Sequence, residues 1–183
     1  THPGEANPQS VYGDFLSVNK QYPEARDQYR ISLNLDKKNL RAWQQLLILE
    51  SELKHFNTME EESEEALGLF PDQSFLYLFN GIAKIQNKKY EDAAKTLVSG
   101  SKLVVDNDQE QIDFYSNLGD VYDKLKKFED SDKYYQKALN IDGSNVYVLN
   151  NWAYYLSLRN EQLEKAAEMS KRSNEISPNN GNF

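Results

Sequence analysis

The chain has 183 residues, 39% of them apolar, with a mean hydropathy of −0.80, 21 basic and 29 acidic residues and no cysteine. Its net charge of −8 has the wrong sign for unaided attraction to phosphate backbones or anionic membranes, so nucleic acid is not expected as a partner. Without cysteine there are no disulfides, thiolate nucleophiles or Cys-ligated zinc, and no apolar run approaches the roughly 18 residues of a membrane span.

The chain opens on Thr1 rather than methionine, which implies a processed product or a segment of something longer. Asn7 and Pro8 read as an N-cap followed by proline in the first helical turn. Pro3 lies 68 residues before Pro71 and reads as the closing turn of an earlier structural unit. From residue 6 onward two helical patterns are separated by the polar turn "LSVNKQY", and the same arrangement returns around "ESELKHF", "KIQNKKY" and "YDKLKKF". Each unit is therefore expected to be a helical hairpin.

The second unit contains His55, in a predicted interhelical turn, and the run "MEEESEEALGLF" with Glu60, Glu61, Glu62, Glu64 and Glu65. On one helix these carboxylates spread around much of the circumference, so they are expected to form a solvated outer face, with a docking patch for a basic partner as the functional alternative. His55 and His2 have no His or Cys companion, so both read as solvated polar residues and no metal site is expected. With neither a glycine-rich phosphate loop nor a serine elbow, no catalytic constellation and no cofactor are expected.

The first helix of the third unit, "SFLYLFNGIAKI", is apolar nearly all round and cannot hide every side within one hairpin, so part of it is expected to meet a neighbouring unit, a peptide or another copy. Four extra residues follow within "KLVVDNDQEQ", read as a longer second helix or a looser connection. In the fourth unit Tyr115, Leu118, Tyr122 and Leu125 share one helical face, yet Gly119 sits among them at a cost of about 1 kcal/mol relative to alanine. The fifth unit carries one extra residue in "LRNEQLEKA" and closes on "SPNNGNF", where another helix would begin. An excised segment of a longer array is inferred.

Aligning the units explains Gly119. Gly13, Leu47, Gly81, Gly119 and Ala153 recur at steps of 34, 34, 38 and 34, with Leu47 the misfit. Ala25, Met59, Ala93, Ser131 and Ala166 form a second register, and Ser32, Ala66, Gly100, Ala138 and Ser173 a third, both stepping by 34, 34, 38 and 35. Bulky residues hold registers of their own: Tyr22, Phe56, Tyr90, Phe128 and Leu163, then Leu35, Leu69, Leu103, Ile141 and Ile176. The small positions Gly13, Gly81, Gly119, Ala153, Ala25, Ala93, Ala166, Ala66, Gly100 and Ala138 are expected where helices approach closely.

This period and residue set resemble the tetratricopeptide repeat, a 34-residue helix-turn-helix family. Residues 112–145 match best, through Tyr115, Leu118, Gly119, Tyr122, Phe128, Tyr135 and Ala138, with Ser131 where the family usually has alanine. The resemblance implies an all-α fold, a right-handed α-solenoid superhelix of about five helix-turn-helix units (6–39, 40–73, 74–111, 112–145 and 146–180) in one domain over 1–183. The wording "LYLFNGIAKIQNKKYEDA" and "NVYVLNNWAYYLSLRN" also looks like long multi-repeat proteins of Bacteroidota, which implies an exported or envelope location.

In the resembling family the first helix of each unit lines the inner surface. The corresponding face supplies Arg41 and Gln44 in unit two, Phe75, Leu78 and Ile82 in unit three, Ser116, Asn117 and Asp120 in unit four, and Tyr147, Asn150, Asn151 and Tyr154 in unit five. Asn117 and Asn151 stand one period apart, where some peptide-binding members carry asparagines that bond a peptide backbone. The family's basic clamp for a C-terminal carboxylate is missing, Arg41 being the only nearby cation, and the acidic fourth unit favours a basic or polar segment. The expected function is a non-catalytic scaffold that holds a protein or peptide partner. A self-associating component of an envelope complex, joined through open solenoid ends, and the non-catalytic part of a larger enzyme are the alternatives.

Overall fold

Apolar spacing of three and four residues yields ten α-helices in the computed structural model, which describes residues 8–178. They are α1 (Pro8–Val18), α2 (Tyr22–Leu35), α3 (Leu40–Glu52), α4 (Phe56–Leu69), α5 (Ser74–Gln86), α6 (Tyr90–Ser101), α7 (Asp108–Lys124), α8 (Phe128–Ile141), α9 (Val146–Arg159) and α10 (Leu163–Ile176). No strand occurs among the described residues. The readings placed on His2, Pro3 and Asn7, and on the stretch after Pro178, lie outside them.

Contacts divide the chain into two compact units, Thr1–Lys89 with α1 to α5 and Tyr90–Phe183 with α6 to α10. The third repeat of the sequence thus contributes α5 to the first unit and α6 to the second. In the first unit consecutive helices pack on one another and α5 also reaches α3; in the second, α9 packs on both α7 and α8.

Local chemistry sets the helix ends. Asn39, Asn107 and Asn145, each just before a first helix, accept a hydrogen bond on Oδ1 from the backbone N–H three residues on, which satisfies an otherwise orphaned donor. First helices end in a left-handed residue: Lys20 (φ 59°), Lys54 (φ 58°), Lys88 (φ 61°), Lys126 (φ 58°) and Asn160 (φ 55°). The next N–H reaches back five residues in every case, as in Gln21 N–H to the Leu16 carbonyl at 2.9 Å. This is the Schellman closure, made here mostly by lysine rather than glycine. The extra residue of the fifth unit is absorbed there, by a second left-handed position at Gln162 (φ 43°).

The four extra residues before the fourth repeat do not lengthen a second helix, as the sequence reading allowed. α6 has only 12 residues, whereas α7 has 17 against 11 to 14 for every other helix. Asn107 caps the added turn from outside, so the helix starts early at Asp108 instead of α6 running on.

All ten small positions are buried. A Cβ built on Gly13 would stand 2.9 Å from the Tyr29 ring, and one on Gly119 would stand 2.8 Å from the Tyr135 ring. The glycines thus make room for tyrosines on the following helix. At Leu47, the misfit, the residue sixteen places on is Ser63 rather than tyrosine, and both are fully buried. Bulk has moved from one helix to the other. Ser131 is fully buried and its hydroxyl donates to the Gly119 carbonyl at 2.9 Å, a bond alanine could not make.

Candidate functional site

The aspartate after Gly119 is the centre of a polar cluster in the second unit. Asp120 on α7 accepts from the Tyr135 hydroxyl on α8 through Oδ1, with Asn151 Nδ2 of α9 at 3.3 Å from the same oxygen. Its Oδ2 has only long contacts, 3.5 Å each, from the Tyr147 hydroxyl and from Asn151 Nδ2. Burial pushes the Asp120 carboxyl up to about 6, against the lowering effect of the Tyr135 and Asn151 donors and of Lys124. Burial and then the Asp120 charge push the Tyr147 phenol up to about 12 and the Tyr135 phenol far higher.

Tyr135 is fully buried, stacked on Trp152 with ring centroids 5.8 Å apart, so the phenol that holds Asp120 is itself held. Tyr147 and Tyr154 are exposed. Beside them α9 and α10 flank an open cavity of about 600 Å³, lined by Asn150, Asn151, Tyr154 and Tyr155 on α9 and by Leu163, Ala166 and Ala167 on α10. Small alanines on α10 leave the space and tyrosines wall it. Such a lining offers apolar area together with a few fixed donors and acceptors.

The other expected groove residues fall differently. Ser116 is buried and its hydroxyl donates to the Asp113 carbonyl, while Asn117 Nδ2 donates to the same carbonyl at 2.8 Å. The expected asparagine pair therefore splits: Asn117 is turned back on its own helix and Asn151 is turned onto Asp120. In the first unit Phe75 and Ile82 are half-buried against the core, Leu78 is half-buried, and Gln44 is exposed. Arg41 Nη2 is 2.6 Å from Asp14 Oδ2, and Tyr29 donates to Asp14 Oδ1 at 2.7 Å.

The acidic run on α4 is a solvated face in part, as the sequence reading expected, with Glu61, Glu64 and Glu65 exposed, but Glu60 is buried and Glu62 half-buried. Glu60 pairs with Lys89 at 2.8 Å, Glu62 with Arg30 at 2.8 Å, Glu64 with Lys84 at 3.1 Å, and Glu65 with Lys37. Cations from α2 and the turn after it on one side, and from α5 and its following turn on the other, thus pair with four of the five, Glu64 and Glu65 doing so in the open. His55, read as merely solvated, places Nδ1 2.9 Å from the fully buried Glu50, which also takes Arg30 at 2.8 Å. Among the described residues no group of three or more His, Cys, Asp or Glu could hold a metal, and no helix is long and apolar enough to cross a membrane.

What sequence reasoning missed is the link between Asp120 and its tyrosines. The available signal was the dipeptide Gly-Asp, which occurs at 13–14 and again at 119–120, each time with tyrosine fifteen residues after the aspartate.

Comparison with known proteins agrees with this architecture. The tetratricopeptide repeat model matches residues 112–145. No curated protein matches the chain. Among solved structures, MamA residues 41 to the end from Desulfovibrio magneticus RS-1 superposes with a TM-score of 0.78 at 16% identity, covering 96% of this chain and 98% of that one. YrrB, described as a TPR protein with an unusual peptide-binding site, gives a TM-score of 0.71 at 16% identity over 96% of this chain and 88% of its own. TTC0263, a thermophilic TPR protein of Thermus thermophilus, gives 0.74 at 15% identity over 94% and 91%.

Proposed function

Since residues 112–145 are a tetratricopeptide repeat and the chain has the all-α fold of proteins built from such repeats, we propose that it is a non-catalytic protein-interaction scaffold. It takes an extended partner segment along the α7 and α9 face of the second unit and into the cavity between α9 and α10. The observation that carries this reading is the juxtaposition of a half-buried carboxylate, Asp120, with exposed tyrosines and a mostly apolar cavity of about 600 Å³. Asp120 and Asn151 supply acceptor and donor capacity for a peptide backbone or side chain, and Tyr147 and Tyr154 supply rigid contact area. The likeness to YrrB, which has a peptide-binding site, supports the same reading.

The first unit contributes less. Phe75 and Ile82 are engaged with the core and Arg41 with Asp14, which leaves Gln44 and Leu78 as secondary contacts. Selection of random nonapeptides displayed on phage against the chain tests the proposal. Binders are expected whose affinity falls about tenfold with Tyr154→Ser or Asn150→Ala. Binders indifferent to both substitutions would remove the site assignment.

A second reading rests on α1, where Val11, Tyr12, Phe15 and Val18 form an exposed stripe. Such a stripe would join copies of the chain, as a self-associating component of an envelope complex requires. Light scattering across a concentration series checks it: association that disappears in Phe15→Asp supports the stripe, and a monomer at every concentration opposes it.

A further inference from the structure

The two Gly-Asp sites are built alike and completed differently. Asp14 and Asp120 each follow the glycine that admits a tyrosine ring, and each accepts that tyrosine's hydroxyl from fifteen residues on. Each also meets the side chain twenty-seven residues on, the second residue of the next repeat. At the first site that residue is Arg41, whose Nη2 lies 2.6 Å from Asp14 Oδ2. At the second it is Tyr147, a neutral phenol 3.5 Å from Asp120 Oδ2, at the limit of a hydrogen bond.

Asp120 therefore has a strong donor on one oxygen and only long contacts on the other. Among the described residues no ion pair reaches it, and Lys124, whose charge acts on it, lies over the Tyr155 ring at 5.3 Å from the centroid. That second oxygen is met by the hydroxyl of the half-exposed Tyr147 and by the Asn151 amide, and the Asp120 charge also reaches the Tyr155 phenol, whose ring meets Tyr154 edge-on at 5.4 Å. A planar guanidinium suits such a place, because it donates to a carboxylate through its edge while its face lies on phenol rings. A carboxyl-terminal carboxylate is repelled there.

We propose that Asp120 receives an arginine side chain from the partner segment, supplied in trans at the place where Arg41 completes the Asp14 site in cis. The inference rests on the peptide-binding reading above and adds the chemistry of one anchor. The basic residue seats beside Tyr147 and Asn151, and the rest of the segment runs toward the α9 and α10 cavity.

The test uses nonapeptides selected on phage against the whole chain, then synthesised with each arginine replaced in turn by citrulline, which keeps the shape and loses the charge. The expected result is an arginine recurring at one position, with citrulline there weakening binding about tenfold or more to the wild-type chain. In Asp120→Asn the arginine and citrulline peptides should bind alike. Tyr147→Arg serves as a second variant with a small demand on folding, since Tyr147 is exposed; it restores the in-cis pair and should likewise abolish the discrimination. Selected peptides without a recurring arginine would overturn the arginine anchor while leaving the scaffold standing. A citrulline penalty that persists in either variant would overturn it too. Recovery of no peptide at all would overturn both the anchor and the peptide-binding reading.

Discussion

The Tyr135 ring occupies the space that a side chain on Gly119 would need: a Cβ there would stand 2.8 Å from both Cε1 and Cζ. The ring cannot step aside, because it is fully buried, stacked on Trp152 and tied through its hydroxyl to Asp120. Gly119→Ala is therefore expected to destabilise the chain by about 1–3 kcal/mol through overpacking. Gly68 provides the control, since it lies exposed on α4 with nothing within 4 Å of its Cβ position. There the same substitution removes only unfolded-state freedom and should stabilise by about 0.5–1 kcal/mol. Urea unfolding of the two variants should give shifts of opposite sign.

The lysines that close the first helices are held at positive φ, where a Cβ is strained. Lys54 and Lys126 are exposed, so nothing but the backbone is changed when the side chain is removed. Lys54→Gly and Lys126→Gly should each raise stability by several tenths to about 1 kcal/mol, the relief of strain outweighing the added freedom of glycine in the unfolded chain. Thermal melts would register a higher midpoint; a lower one would contradict the strain argument.

Glu50 is fully buried between Arg30 and His55, whereas Glu61 is an exposed member of the acidic run. Arg30 keeps Glu62 as a partner when Glu50 is neutralised, so Glu50→Gln should cost about 1–3 kcal/mol, the loss of charge-assisted bonds to a fully buried side chain. Glu61→Gln should lie within about 0.5 kcal/mol of the parent. Denaturant midpoints compare them directly.

Asp120 also predicts a pH dependence. Its carboxyl titrates from the ordinary 3.8 in the unfolded chain and at about 6 in the folded one, so between these values the folded state holds more protons. Stability contributed by this group is then fully present below about pH 4 and falls as pH rises toward 6. Asp120→Asn lacks the effect, and its stability relative to the parent should improve across that window by as much as about 3 kcal/mol. A difference independent of pH from 4 to 7 would contradict the burial of this carboxyl.

The hairpins were legible because their signals are local or strictly periodic. Small residues in three registers marked helix contacts, but Gly119 read as a close approach of helices, whereas the space it leaves is filled by the Tyr135 ring, sixteen residues on. The partition of the four extra residues was not legible, because a cap at Asn107 decides between extending α6 and starting α7 early, and both leave the downstream phase unchanged. The α4 glutamates looked free because their cations, Arg30, Lys37, Lys84 and Lys89, come from other helices and turns. Asp120 was legible from its helical face, while its bonding to Tyr135, Tyr147 and Asn151 required knowing that residues fifteen, twenty-seven and thirty-one places on converge.

The most direct measurement of the proposed site is the amide and side-chain NMR spectrum of the chain titrated with a phage-selected peptide. Shifts are predicted to concentrate at Asp120, Tyr147, Asn151 and Tyr154 and around Ala166 and Ala167 across the cavity. Shifts confined to the first unit, or to the outer faces of α8 and α10, would contradict the account.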